Sequence, residues 1–291
     1  MEAKVLTAQS LCKRYGTLDA LDHVDLTLEP GHIYGLIGRN GAGKTTLLSA
    51  LTVTYGGAPV WENEAVLGEL CFSRELGSTV GGMNNALKVK DYLNAGRLFY
   101  PHWDEAYAQK LITQFKLAPK KRISALSKGM ASMLTIVLAL ASRAPITFMD
   151  EPVAGLDVVA REDFYRLLLD DYAETGRTFV ISTHILEEAS NVFEKVLIMK
   201  EGRLIEACDA DELLAQFCAV TGRDDVVNEA CAGLNILHTE TLGRQKSCVV
   251  RVPAETMAAK GLDVDCTSLP LQKVFVALCG HEQELQEHRE G

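Results

Sequence analysis

Most of the features that would place this 291-residue chain in a special class are missing. Its eight cysteines include no C-x-x-C pair and no accompanying histidine cluster, so spacing points to neither a zinc motif nor a redox motif. The thiols read as reduced and mostly core. The longest apolar run, "MLTIVLALA", falls well short of the ~20 residues a spanning helix needs. No apolar targeting segment follows "MEAKVLTAQS", so the expected location is cytoplasmic. Positive charge is also in deficit: 29 Lys and Arg stand against 39 Asp and Glu, a formal net charge of -10. That balance disfavours a broad electrostatic footprint for nucleic acid, and no nucleic-acid partner is expected. Internal repeats and low-complexity segments are likewise lacking.

What is present is the composition of an ordinary globular protein, 47% apolar and 23% charged, at a length suited to one large domain or two. Four short apolar runs, "HIYGLIG", "ITFMD", "TFVIST" and "KVLIMK", are rich in β-branched residues and separated by stretches of helical spacing. Buried strands alternating with helices predict an α/β fold whose mainly parallel sheet is covered on both faces. Val5 to Leu6 and "HVDLTLEPG" alternate instead, which predicts an antiparallel β flank. A helical subdomain is expected at about 80–143, with apolar positions Tyr92, Leu93, Leu98, Leu111, Ile112 and Phe115, interrupted by Pro101. The character changes after Phe217. A boundary at 218/219 is expected to separate this domain from a small α+β domain, 219–291, built from a hairpin ("LNILHT" and "SCVVRV") and a final helix, "PLQKVFVALCG".

The stretch "GLIGRNGAGKTTLL" follows a predicted strand and opens a helix, the setting in which G-x-x-x-x-G-K-[ST] becomes a phosphate cradle. Gly38, Gly41 and Gly43 allow backbone N–H groups to turn inward around phosphates. Lys44 supplies a point charge for the outer phosphates, and Thr45 offers a hydroxyl to Mg²⁺. Asp150 and Glu151 end the next core strand. Asp150 suits a metal-bound water, and Glu151 is placed to orient or deprotonate an attacking water, although two acids could also simply end a strand. His184 ends a third run. Three strands thus deliver Lys44, the Asp150–Glu151 pair and His184 to one edge of a parallel sheet, where ligands bind in open α/β folds. His184 is expected to donate to the terminal phosphate.

A second glycine-serine stretch, "LSKGM" at Leu126 to Met130, has no evident anion of its own. Ser127 reads either as an ordinary N-cap or as part of a corner that closes on a nucleotide held by a second chain.

Together these motifs resemble the ATP-binding subunits of ABC transporters, over about Glu2 to Phe217. "GRNGAGKTT" is similar to the Walker A loop, which carries Asn40, Ala42 and Thr46 besides the residues above; "ITFMDE" is similar to the Walker B strand. "LSKGM" resembles the signature, with lysine and methionine in place of the commoner glycine and glutamine. "AGLD" resembles the D-loop and "STH" the switch-histidine loop. The resemblance implies a P-loop NTPase fold that binds and hydrolyses ATP with Mg²⁺. It also implies that Tyr15 stacks on adenine, that Ser127 and Gly129 contact a nucleotide across a dimer, and that Asp157 couples the two sites. "FYPHWD" followed by "LSKGM" is similar to bacterial exporter ATPases of the bacitracin-resistance and GntR-operon-linked type. One departure stands out: at the glutamine-loop position, in "LCFSREL", Arg74 replaces glutamine. A guanidinium has no acceptor for Mg²⁺. Either Glu75 substitutes, or the metal rests on Thr45 and Asp150 while Arg74 contacts phosphate or a partner, or Arg74 is a surface residue.

The implied assembly is a dimer with a second ATPase subunit, identical or not, held at the inner face of the cell membrane by a separate integral membrane permease. Contact with that permease is expected on the inserted helical region, roughly 80–119, including "STVGGMNN". A soluble relative acting on ribosomes or DNA is the alternative within the family. A second rival, a small GTPase or kinase using the same phosphate loop, predicts an N-K-x-D motif or an acceptor site, and N-K-x-D is lacking.

Overall fold

The structure, a computed structural model, describes residues 4–50, 54–60, 62–76 and 87–280. The chain divides into two compact units, Met1–Ala207 and Cys208–Gly291.

The first unit is built around a six-stranded sheet. All four predicted core runs are its central strands: Ile33–Gly38, Ile146–Asp150, Thr178–Thr183 and Lys195–Lys200, joined at one side by Leu70–Ser73 and at the other by Arg203–Asp209. From Leu70–Ser73 through to Lys195–Lys200 the pairing is parallel. Every residue of Ile33–Gly38, Ile146–Asp150 and Thr178–Thr183 is buried, which is why these strands read as continuous apolar runs rather than alternating ones. The hairpin into Arg203–Asp209 turns through Glu201 and Gly202, both at positive φ. A second, four-stranded sheet pairs Leu6–Tyr15 with Leu18–Leu28 in antiparallel register and supplies the expected β flank. Leu6, Leu21, Val24 and Leu28 from that flank share one core with Leu36, Phe148 and Val180 of the main sheet.

The inserted region is helical, with Val89–Phe99, Glu105–Gln114 and Lys128–Ala141 as its helices. The break around Pro101 is followed by a cap, in which the Asp104 carboxylate accepts from the Tyr107 N–H at 2.9 Å. Leu93, Leu111 and Ile112 are buried as their spacing predicts, whereas Leu98 is 82% exposed. "STVGGMNN" lies outside the described residues. A buried charge network ties the insert to the core. Arg143 reaches Asp104 at 3.1 Å and Asp171 at 2.8 Å, while the other Asp171 oxygen accepts from Arg177 at 2.7 Å.

In the second unit the order is helix Ala210–Ala215, strand Cys218–Arg223, helix Asp224–Ala230, strands Ile236–Leu242 and Gln245–Val250, helix Ala254–Ala258, strand Asp265–Ser268 and the expected final helix, Leu271–Cys279. Gln245–Val250 and Asp265–Ser268 flank Cys218–Arg223 in an antiparallel sheet that Ile236–Leu242 completes. From Cys218 to Ser268 the β-α-β-β-α-β path is the ferredoxin-like arrangement. A cut at 218/219 would sever its central strand after one residue, so the compact unit starts earlier than the boundary expected from composition. Cys218, Val220, Cys231, Cys248 and Val250 form its core. Burial pushes the Cys218 and Cys231 thiols up to about 11, so they are protonated packing groups at neutral pH.

Candidate functional site

The phosphate loop leaves the strand Ile33–Gly38 and enters the helix Lys44–Ser49 through Gly43, at φ 101°. A side chain at Gly43 would stand 2.5 Å from the Ala20 carbonyl, so only glycine fits both the conformation and the space. Ala42 is buried and pinned to Gly202, whose N–H donates to its carbonyl at 3.1 Å. Asn40 and Gly41 are exposed at the tip, with Thr45 exposed and Thr46 half-buried just inside the helix.

Lys44 is 7% exposed, and its Nζ donates to the Gly38 carbonyl at 2.7 Å. Burial lowers its pKa below the ordinary lysine value, and the nearby Glu151 and Asp150 carboxylates only partly offset this. A buried ammonium with an incomplete set of anions is a receptor for one more.

Asp150 ends its strand beside two hydroxyls: Thr45 Oγ1 donates to Oδ2 at 2.8 Å and Ser182 Oγ donates to Oδ1 at 2.6 Å. Successive strand residues would point to opposite faces, but Glu151 takes φ 49° and turns its carboxylate toward the same loop. Its backbone N–H donates to both Ser182 Oγ, at 3.0 Å, and the Ser182 carbonyl, at 3.1 Å. One Glu151 oxygen lies 3.8 Å from Lys44 Nζ, and the other lies 2.8 Å from His184 Nδ1. The structure therefore brings Lys44, Thr45, Asp150, Glu151 and His184 into one connected cluster at the carboxyl edge of the sheet. The Thr45 hydroxyl and the Asp150 carboxylate form a hard, all-oxygen donor pair, the kind Mg²⁺ prefers.

Ser127, Gly129 and Asp157 form a different group. Ser127 caps the helix Lys128–Ala141, accepting from the Met130 N–H at 3.3 Å, and Asp157 caps Val158–Thr175, accepting from Ala160 N–H at 2.9 Å. The two caps belong to segments packed on each other: a Cβ on Gly129 would meet the Gly155 carbonyl at 2.7 Å, and Ser132 Oγ donates to the Ala154 carbonyl at 2.6 Å. Among the described residues, neither Ser127 nor Asp157 shares a hydrogen bond or ion pair with the phosphate loop. Tyr15 sits at the end of the strand Leu6–Tyr15, 56% exposed, with Lys13 Nζ 5.6 Å from its ring centroid.

Arg74 stacks on Phe72 at 5.7 Å, and Glu75 pairs with Lys128 at 3.0 Å. The two thus have partners other than Thr45 and Asp150. Ser182 joins this site although no motif role points to it. Its importance depends on strand register, Asp150 lying opposite Ser182, which no motif spacing encodes.

The family model for ABC transporters matches residues 21–154. The bacitracin transport ATP-binding protein BcrA of Bacillus licheniformis is 31% identical over 217 residues, covering 72% of this chain and 71% of that protein. The chain belongs to the ABC transporter ATP-binding proteins. Another member, the ABC transporter ATP-binding protein YtrB of Bacillus subtilis, is 28% identical over 242 residues, covering 80% of this chain and 82% of that protein. The fold matches a dimeric ATP-binding cassette bound to ADP and Pi, with a TM-score of 0.59, 19% identity and coverage of 71% of this chain and 98% of that one. This ABC protein is accordingly an ATP-binding subunit of a transporter and an ATPase with the P-loop NTPase fold. Among its described residues no helix is long and apolar enough to cross a membrane.

Proposed function

We propose that two copies of this subunit, or one copy and a related partner, close head to tail around two ATP molecules and thereby drive a separate membrane permease, in the direction of export. One observation carries this reading. Among the described residues, the cluster around Lys44, Asp150 and Glu151 and the Ser127–Gly129–Asp157 corner share no hydrogen bond or ion pair, which leaves the corner able to seal the site of a neighbouring subunit. The exporter direction is supported by the name of a further relative, the Nod factor export ATP-binding protein I of Burkholderia lata, 30% identical over 292 residues.

In this reading the phosphate loop, from Gly38 through Thr46, wraps the phosphates, and Lys44 places its charge on the outer ones. Thr45 and Asp150 hold Mg²⁺, which when bound neutralises charge on the phosphate oxygens. Glu151 orients the attacking water and receives its proton. His184, held against Glu151, donates to the terminal phosphate, and Tyr15 offers its ring to adenine. Asp157 couples the two sites. Closure brings Ser127 and the backbone at Gly129 against the terminal phosphate from the opposite side.

A groove of about 840 Å³ between Pro59–Gly68 and the end of the first inserted helix is the proposed permease seat. Phe99 and Pro101 line it, and Leu98 and Phe99 are 82% and 58% exposed beside it. The subunit is then peripheral to the membrane through that contact.

The test is Glu151→Gln, which keeps the hydrogen bonds but removes the base. With Mg-ATP the variant is expected to become a stable dimer by light scattering without turnover. Adding Ser127→Arg to it is expected to restore the monomer while leaving nucleotide binding intact. A Glu151→Gln protein that stays monomeric under saturating Mg-ATP, alone and with its permease, refutes the composite site.

A further inference from the structure

Eight cysteines are present, and Cys12 alone among them is exposed. It lies in the antiparallel flank, well away in sequence from the phosphate-binding residues. On its strand, Cys12 is the single residue between the paired positions Leu11–Val24 and Lys13–Leu21; on the opposite strand two residues, Asp22 and His23, fill the same interval. Two against one is a β-bulge. Regular alternation would send the Asp22 and His23 side chains to opposite faces. His23 instead takes φ 50°, and the bulge turns both side chains to the Cys12 side.

Each of the three residues contributes an electron-pair donor. The Cys12 sulfur, an Asp22 carboxylate oxygen and a His23 ring nitrogen all lie within 4.8 Å of one another. His23 Nδ1 is 2.6 Å from Asp22 Oδ1, and the His23 backbone N–H donates to Cys12 Sγ at 3.3 Å. The second Asp22 oxygen accepts from Arg203 Nε at 2.7 Å, which fixes the carboxylate while leaving Oδ1 toward the other two groups. Such an outer-shell bond is what orients a ligating carboxylate.

We propose that Cys12, Asp22 and His23 form a binding site for a thiophilic divalent cation of the zinc type, separate from the Mg²⁺ site of the ATPase reaction. A thiolate, an imidazole and a carboxylate are the ligand types zinc takes, whereas Mg²⁺ and Ca²⁺ prefer oxygen alone. At ordinary Zn–S, Zn–N and Zn–O lengths of about 2.0–2.3 Å, a tetrahedral ion spaces its ligands by roughly 3.3–3.8 Å, inside the spread of these atoms. Binding opens the His23–Asp22 contact, releases the ring and thiol protons where present, and leaves a fourth position for water. Thiolate and carboxylate together balance the ion's two charges, so Arg203 faces a neutral site. Bound metal would staple the two strands that lead into the Tyr15–Leu18 turn.

The experiment uses the full chain, reduced and free of nucleotide, titrated with Co²⁺ and Zn²⁺. One equivalent of Co²⁺ is expected to give a thiolate-to-cobalt charge-transfer band that Cys12→Ser abolishes and Cys266→Ser leaves unchanged. Zn²⁺ affinity measured by calorimetry is expected to fall in His23→Ala and Asp22→Asn, and by roughly 10-fold in Arg203→Gln. Bound Zn²⁺ is also expected to protect Cys12 of the unmodified sequence from iodoacetamide, read by peptide mass, which keeps the test independent of any variant's folding. An undiminished cobalt band in Cys12→Ser, unchanged Zn²⁺ affinity in His23→Ala, or Cys12 alkylation indifferent to Zn²⁺ overturns the assignment.

Discussion

Replacing Ser182 with alanine removes one hydroxyl that supports two acidic residues. Ser182 is fully buried, donates to Asp150 Oδ1 at 2.6 Å and accepts from the Glu151 N–H at 3.0 Å. The first bond is to a buried carboxylate and contributes about 1.5–3 kcal/mol. The second is partly backed up, because the same N–H also reaches the Ser182 carbonyl at 3.1 Å. The expected loss of stability is therefore about 2–3 kcal/mol. For a domain of roughly 200 residues, at about 2–4 °C per kcal/mol, the melting temperature falls by about 4–12 °C. In the proposed reaction Glu151 orients the attacking water, so even with its N–H still held by the Ser182 carbonyl, a drift of a few tenths of an ångström to an ångström is expected to lower kcat by roughly 10- to 100-fold. The phosphate loop is untouched, so KM for ATP stays close to that of the parent. Scanning calorimetry and steady-state phosphate release on the full chain give both numbers. Ser182→Thr keeps a hydroxyl and is expected to recover most of kcat even where its extra methyl costs stability. A Ser182→Ala protein with unchanged melting temperature and unchanged kcat refutes the reasoning.

Asp171 is 1% exposed between Arg143 and Arg177; Asp171→Ala leaves Arg143 its Asp104 partner but strands the buried Arg177 guanidinium, and is expected to cost about 3–5 kcal/mol, read from the urea midpoint. Burial lowers the Lys44 pKa from 10.5, so the charged form opposes folding at neutral pH, and this opposition fades as pH rises from the lowered value toward 10.5. Nucleotide-free Lys44→Met is accordingly expected to be more stable than the parent at neutral pH, with a gap that narrows toward that alkaline limit, while losing ATP binding; a parent more stable than the variant at neutral pH contradicts the sign. Arg74→Ala is expected to leave Mg²⁺-dependent ATPase activity unchanged, because Arg74 stacks on Phe72 rather than facing Asp150. A shifted Mg²⁺ midpoint returns Arg74 to the site.

The four core strands were legible because a strand buried on both faces must be apolar throughout, and each was bounded by polar or glycine-rich punctuation. The phosphate loop was legible for a related reason: its glycines, lysine and threonine act through local backbone geometry, which contiguous sequence carries. Leu98 misled, since its helical spacing matches buried neighbours while its side chain faces out beside the groove at Phe99. The second unit showed a hairpin and a last helix in its sequence, but not the central strand Cys218–Arg223, whose Thr221, Gly222 and Arg223 dilute its apolar pattern.

By itself, then, the sequence determined the α/β class, the order of the nucleotide motifs and the identity of the groups at the sheet edge. Tertiary structure alone decided which of them touch: that Ser182 stands opposite Asp150, that Glu75 pairs with Lys128, and that a bulge turns Asp22 and His23 toward Cys12. Periodicity and motif spacing describe one chain segment at a time. Strand register and bulges relate segments far apart in the chain, and they are fixed only when the whole core packs.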